Sequence, residues 1–260
     1  MLLTAALSLT AAVAGTPTQT ASPLTSDELV AIVRQVQTFR PADRFARPID
    51  QSQWAGRSFR VEVAVRDNEL VGWGYDPASG QITVNAEAWM YVPQHFLPSE
   101  AFGGVERGMK ARPFYERRRD GSGYVGVNGF GATTRVRERY ETTYAMTDLS
   151  LRGFANTTLQ HAWNASPEEA RAITPKLKIA ITGRLEAVGG DVISCYTHLS
   201  EATLYNPEET LEHACLVSVT ADSIELIDGV SGNVLERIDH QAQEAGTPVP
   251  TSWKSKKGPS

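Results

Sequence analysis

The feature that most constrains this fold is the alternation of apolar and polar side chains along much of the chain. In 59–65, 82–90 and 177–185 nearly every second residue is apolar. A period of two places one face of a strand against a core and the other in water. Strands and helices do not follow one another in regular βαβ order, which argues against a doubly wound fold. We predict a mainly β chain (α+β minor): an antiparallel β-sandwich or open barrel with an N-terminal amphipathic helix and one short helix.

Two similar five-residue segments punctuate the alternating stretches. They read DPASG at 76–80 and DGVSG at 228–232. An aspartate opens each turn, and the final glycine supplies the positive φ that closes it. We therefore predict two β-hairpins at these positions.

The two helices are predicted from their first residues. Thr25 and Glu28 form a capping box, in which each side chain binds a backbone N–H of the other residue. Ser166 and Pro167 provide the cap and first position of a second helix, which must end before Pro175.

The rest of the chain is less regular. We predict a strand over 135–146, and two more over 192–199 and 211–219 with a turn between them near residue 206. The segment 96–119 mixes proline, glycine and charge, which predicts a long loop.

Both ends differ from the middle. Residues 1–15 form a short apolar run that ends in small residues, as in the signal peptide of an exported protein, although no Lys or Arg precedes the run. The alternative is an ordinary buried helix. We predict a signal peptide (1–15), an extended spacer (16–24), one β-rich domain (25–240) and a disordered tail (241–260). The signal peptide predicts a periplasmic or secreted protein. No later apolar run is long enough to predict a transmembrane segment.

The charge balance excludes one class of partner and suggests another. With 25 basic and 30 acidic residues, the net charge of −5 gives no reason to expect nucleic acid. A local basic cluster ends in Arg117, Arg118 and Arg119. It predicts either a solvated surface or a contact with an anionic envelope component.

The two cysteines, Cys195 and Cys215, have three possible states. If their strands pair around a turn centred near Tyr205, the two residues lie opposite each other, and we favour a disulfide. Free buried thiols are the second possibility. The third is a metal site through Cys195, His213 and Cys215, with His198 pointing to the other face of the hairpin. We predict no bound cofactor and no metal.

Two further patterns have ordinary explanations. The segment GSGYVG at 121–126 matches the dinucleotide-binding pattern, but a β-type sequence follows it where a helix is required. Trp73, Tyr75, Trp89 and Tyr91 lie on paired strands and could form an exposed aromatic platform for a ligand, or belong to the core.

The sequence contains no serine-hydrolase elbow, zinc-protease helix, phosphate-binding loop or EF-hand motif. The favoured hypothesis is an exported, non-enzymatic binding or structural module of the cell envelope. A hydrolase whose site is assembled from dispersed residues is the first alternative. A metal-binding protein that uses the Cys/His cluster is the second.

Overall fold

A computed structural model describes residues 22–38, 49–66, 70–91, 110–127, 129–148 and 158–239. The predicted signal peptide, most of the spacer and the predicted tail lie outside these ranges. Within them, no helix is long and apolar enough to cross a membrane.

The described chain is mostly strand, with two α-helices. The helices are α1 (Ser26–Thr38) and α2 (Pro167–Ile173), and α2 is followed by a 3-10 turn at Thr174–Lys176. The strands are β1 (Ser58–Ala64), β2 (Leu70–Asp76), β3 (Gln81–Glu87), β4 (Met90–Tyr91), β5 (Lys110–Asp120), β6 (Tyr124–Val127), β7 (Thr133–Asp148), β8 (Thr158–Asn164), β9 (Leu177–Leu185), β10 (Ile193–Ser200), β11 (Glu208–Asp228) and β12 (Val234–Asp239).

The strands form two sheets around one core. The larger sheet follows the order β1-β9-β11-β7-β5-β4, with β6, β10 and β12 attached at its sides, and the smaller sheet is β2-β3-β8. Apolar residues of both sheets, such as Phe59 and Ile181 from the first and Val84 and Leu159 from the second, belong to one buried cluster. The prediction of a β-rich, sandwich-like fold with two helices is confirmed.

Strand β11 organises the larger sheet. Its first half lies between β10 and β7, and its second half lies between β9 and β12. We predicted a strand over 211–219 and, apart from it, a hairpin at 228–232. The predicted strand and the first strand of that hairpin are one element, β11, which has a bulge between Ala221 and Ser223. The pair β7–β11 is parallel, whereas every other described strand pair is antiparallel.

Helix α1 begins as its sequence predicts. The Glu28 carboxylate accepts the Thr25 N–H at 2.8 Å, and the Thr25 hydroxyl accepts the Glu28 N–H at 3.4 Å. The hydrogen bond from the Thr25 backbone lowers the pKa of Glu28. Leu29 and Val33 are fully buried, so the helix packs one apolar face on the sheets.

Both predicted hairpins are confirmed, and their turns have the same hydrogen bonds. In the first, Asp76 accepts the Ala78 N–H and the Ser79 hydroxyl. In the second, Asp228 accepts the Val230 N–H at 2.8 Å and the Ser231 hydroxyl at 2.5 Å. Each turn ends at a glycine with a φ near +70°, at 68° and 75°.

One prediction about the middle of the chain is wrong. Residues 110–119, expected to be loop, form most of strand β5. Among the described strands, β5 has no neighbour on its outer side beyond its short pairing with β4, and an edge strand carries the charge that we read as a loop signal.

The sheet continues beyond the core as a projecting β-arm. We define the arm as residues 116–127, 133–143, 197–200 and 208–213. Among its described residues only Val136 is buried, so both faces of the sheet are accessible to solvent. Because β7 and β11 are parallel, the turn before β7 and the turn before β11 lie at the same end of the arm.

One charged side chain crosses the interior. Arg112 of β5 has no exposed surface, and its guanidinium donates to the carbonyls of Ala64 and Glu87 at 3.2 and 3.3 Å. These carbonyls lie at the ends of β1 and β3, in different sheets. Arg112 therefore ties the two sheets together through two part-buried hydrogen bonds.

Candidate functional site

The cysteine hairpin has the register that the sequence predicts. Cys195 of β10 lies directly opposite Cys215 of β11, with their Cα atoms 4.1 Å apart, and the two form a disulfide. The disulfide was the favoured prediction. It is compatible with an oxidising compartment outside the cytoplasm.

The same disulfide bears on the metal hypothesis. Zinc coordination through Cys195 and Cys215 would need both as thiolates, and each sulfur is bonded to the other. The described residues contain no group of three or more metal-ligating side chains. His198 pairs with Glu212 and His213 with Thr197, so the two histidines lie on opposite faces of the hairpin.

A cavity of about 430 Å³ opens beside the disulfide. It is lined by Gln37 and Thr38 of α1, by Cys195, Tyr196 and Thr197 of β10, and by His213 of β11. The Thr197 hydroxyl and His213 Nδ1 are 3.0 Å apart and fix the orientation of the imidazole ring. The cavity therefore brings together a disulfide, an imidazole and polar groups from the end of the helix.

A polar and aromatic cluster lies under the last turns of α1. The Arg34 guanidinium lies 4.9 Å from the centre of the Tyr115 ring, which stacks on Tyr144 with centroids 4.9 Å apart. The Tyr144 hydroxyl donates to Gln37 Oε1 at 2.5 Å, and burial raises the pKa of Tyr144. This cluster holds the end of the helix over the cavity. We did not predict it, because no local spacing connects residues of α1 with residues about 80 and 110 positions later.

A second, larger cavity of about 800 Å³ lies along the arm. Arg139 at its centre forms an ion pair with Glu208, and its Nε lies 3.9 Å from Asp120. The Glu138 carboxylate accepts the Gly123 N–H at 3.0 Å. Each of the carboxylates of Asp120, Glu138 and Glu208 contacts a guanidinium or a backbone amide. The cavity is therefore lined by a hydrogen-bonded polar surface, and these carboxylates are not arranged as a catalytic acid and base.

The glycine-rich segment is part of this surface. Residues 121–123 break the strand, and β6 then continues it, so no helix follows the glycines. The Gly123 amide points at Glu138, and Gly123 has a φ of 66°. The segment is a bulged corner of the arm and lacks the helix that a dinucleotide site requires.

The four aromatic residues do not form one exposed group. Trp89 is 1% exposed and lies in the shared core, so it cannot contribute to a platform on the wet face. Tyr75 is half-buried against the same core. The side chains of Trp73 and Tyr91 lie outside those described, and a ligand-binding role for these residues stays a prediction.

Arg117, Arg118 and Arg119 occupy the exposed edge of β5. Arg118 lies 3.7 Å from Glu141, and Arg119 lies over the ring of Tyr140 at 4.9 Å. Charge on an edge strand discourages pairing with the edge of another molecule. An anionic partner at these three residues stays a prediction.

The far end of the arm carries large apolar side chains that we did not single out in the sequence. In the turn before β7, Phe130 is 98% exposed. In the turn before β11, Tyr205 is fully exposed and Leu204 is 54% exposed. Val125 and Val127 of β6 are also exposed. We call these five residues the apolar tip. A phenylalanine between two glycines, and a leucine and tyrosine before Asn-Pro, were the available sequence signals.

No family model matches the chain, and no match emerges from the curated proteins or from the solved structures.

Proposed function

We propose that the protein is an exported, non-enzymatic binding module of the cell envelope that docks on the surface of a lipid bilayer through the apolar tip. The single observation that supports docking is the position of Phe130, Leu204 and Tyr205 at one end of a projecting sheet. The signal-like segment 1–15 and the disulfide support export.

The shape of the tip favours a bilayer over a protein partner. A large apolar patch marks an interaction site, but a protein partner must offer a pocket of matching shape. The tip consists of two turns and the neighbouring strand β6, and its two aromatic side chains stand almost fully in water. A fluid apolar phase accommodates such convex groups without a matching pocket. Full burial of the exposed Phe130 contributes about 1.5–3 kcal/mol, and burial of the half-exposed Leu204 contributes about half as much.

The charges near the tip fit the interface of a bilayer. Arg135 and Arg137 lie on β7 just behind the Phe130 turn and are exposed. Guanidinium groups at that depth are able to bind lipid phosphates while the apolar side chains enter the acyl region. Because Glu208 and Glu209 of β11 lie beside these arginines, anionic lipids should strengthen the contact only modestly and are not required for it.

Co-sedimentation with lipid vesicles tests the proposal. The full chain is mixed with vesicles of phosphatidylcholine alone, or with added phosphatidylglycerol, and compared with a triple variant carrying Phe130→Ala, Leu204→Ala and Tyr205→Ala. We expect wild-type protein to bind and the triple variant to lose affinity at least ~10-fold. The matched control is Val230→Ala, because Val230 is 59% exposed in a turn outside the arm.

Two results would contradict the proposal. Wild-type protein that does not bind either vesicle excludes docking on a bilayer. Vesicle binding that the control variant weakens as much as the triple variant excludes the tip. If wild-type protein forms a dimer that the triple variant dissociates, while neither binds vesicles, a second copy of the chain replaces the bilayer as the partner.

A further inference from the structure

The two halves of the disulfide differ in access. Cys195 lies on β10, the outer strand of the hairpin, and is exposed, whereas Cys215 is 1% exposed. Thiol–disulfide exchange begins with attack of a thiolate on one sulfur, in line with the bond to the other. An external thiolate can therefore reach the Cys195 side of the bond but not the Cys215 side.

The cavity of about 430 Å³ provides room for the attacking group. It is lined by Cys195 and His213, and its volume lies within the range of small-molecule sites. The hydrogen bond between Thr197 and His213 Nδ1 leaves the other ring nitrogen, Nε2, for a proton transfer. A buried structural disulfide needs neither an access cavity nor an oriented imidazole.

From this geometry we propose that Cys195–Cys215 is a thiol–disulfide exchange site, with small thiols and dithiols as its reaction partners. This proposal does not depend on bilayer docking. It concerns a group at the base of the arm, whereas docking concerns the tip.

Exchange with a dithiol takes place in two steps. The sulfur of the entering thiol bonds to Cys195 Sγ, the bond between Cys195 and Cys215 breaks, and its electron pair stays on Cys215. The proton of the entering thiol ends on Cys215, with His213 as the group that lines the cavity and is able to carry it. With a dithiol, its second thiol then displaces Cys195, so the dithiol is oxidised to a disulfide and both cysteines are reduced.

The position of the bond gives the exchange a structural consequence. The disulfide closes a loop with a sequence separation of 20 that contains the whole β10–β11 turn. Residues 197–200 of β10 are all exposed, so after reduction the outer part of β10 is held by its pairing with β11 and by surface contacts such as the Thr197–His213 hydrogen bond. Exchange at Cys195 thus loosens an outer strand of the arm.

The first experiment maps the mixed disulfide on the folded wild-type protein. The full chain is incubated with reduced glutathione in native buffer, quenched with iodoacetamide, and examined by intact mass and peptide mass mapping. We expect a mixed disulfide with glutathione on Cys195, while circular dichroism shows an unchanged fold. Glutathione on Cys215 to an equal or greater extent overturns the proposal, as does a bond that reacts only after urea unfolds the chain.

Single-cysteine variants form a matched pair for the second experiment. Cys215→Ser leaves the exposed thiol and Cys195→Ser leaves the buried one, and both are exposed to oxidised glutathione. We expect the Cys215→Ser protein to form the mixed disulfide at least ~10-fold faster. Equal rates in two folded variants contradict the proposal. If either variant fails to fold, the mapping on wild-type protein decides alone.

His213→Gln separates proton transfer from simple access. Glutamine keeps a polar side chain of similar reach but cannot carry a proton. We expect reduction by glutathione to slow several-fold while the site of modification stays at Cys195. An unchanged rate removes His213 from the proposed step.

Discussion

Replacing Gly183 by alanine should destabilise the protein because two backbones meet at this residue. Gly183 of β9 pairs with Phe59 of β1 on one side and with Ala221 of β11 on the other, beside the bulge. A Cβ added here would overlap the Thr220 carbonyl oxygen and lie 2.9 Å from the Ala221 Cα. Carbon atoms in contact are normally about 3.5–4.0 Å apart, so β9 and β11 would have to separate by roughly 0.6–1 Å.

The loss of free energy of unfolding follows from that displacement of β9 from β11. Overpacking a buried site costs about 1–3 kcal/mol. Lengthening the hydrogen bonds on both sides of the bulge costs about 1 kcal/mol each. Alanine recovers about 0.5–1 kcal/mol, because it restricts the unfolded chain more than glycine does. We therefore expect Gly183→Ala to lower the free energy of unfolding by about 2–4 kcal/mol.

The control is Gly74→Ala. Gly74 also lies in a strand, β2, but no atom lies within 4 Å of an added Cβ. We expect this variant to be unchanged or stabilised by up to about 1 kcal/mol. Both are measured by urea unfolding without reductant, where an m-value of about 2–3 kcal/mol/M converts the loss into a midpoint about 0.7–2 M lower. Equal midpoints for the two variants would refute the close approach of β9 and β11.

Three further predictions concern stability. Arg112→Met should lower the free energy of unfolding by about 1–3 kcal/mol, because it removes the donor of two part-buried hydrogen bonds that join the sheets, and urea unfolding measures the loss. The Ser231 hydroxyl lowers the pKa of Asp228, so its stabilisation is complete above the unfolded value of about 3.9 and is lost as the pH falls through the lower folded value. The stability difference between wild type and Asp228→Asn should therefore shrink below about pH 4, as shown by unfolding curves from pH 7 to pH 2; a constant difference would contradict it. Replacing both Cys195 and Cys215 by serine should cost about 3 kcal/mol, because the unfolded chain regains the freedom of a closed loop, and an unchanged thermal midpoint would contradict this.

Local patterns predicted the elements that depend on neighbouring residues. The capping box at Thr25, the aspartate turns at 76–80 and 228–232 and the start of α2 all depend on contacts within three or four residues. The disulfide register was also accessible, since a hairpin with a turn centred at residue 205 places Cys195 opposite Cys215.

Other features depend on contacts distant in sequence. The charge of Arg117, Arg118 and Arg119 indicates exposure, but exposure is shared by loops and edge strands, and only the pairing with β7 distinguishes them. The parallel pair β7–β11 has no local signal, because no turn joins its strands. The apolar tip was missed for the same reason, since its two turns come together only through that pairing.

The parallel pair also has a consequence for how the chain folds. Arg137 pairs with Glu208, at a sequence separation of 71, so the pairing must wait for the intervening chain to be arranged. Contacts of such long range cost loop-closure entropy before they contribute stability, and they slow folding. Until β11 arrives, β7 has one open edge while β5 and β6 already cover the other, so a half-folded chain presents a long unpaired strand. Refolding should therefore be slow, and association of molecules during refolding should compete with it more strongly as the protein concentration rises.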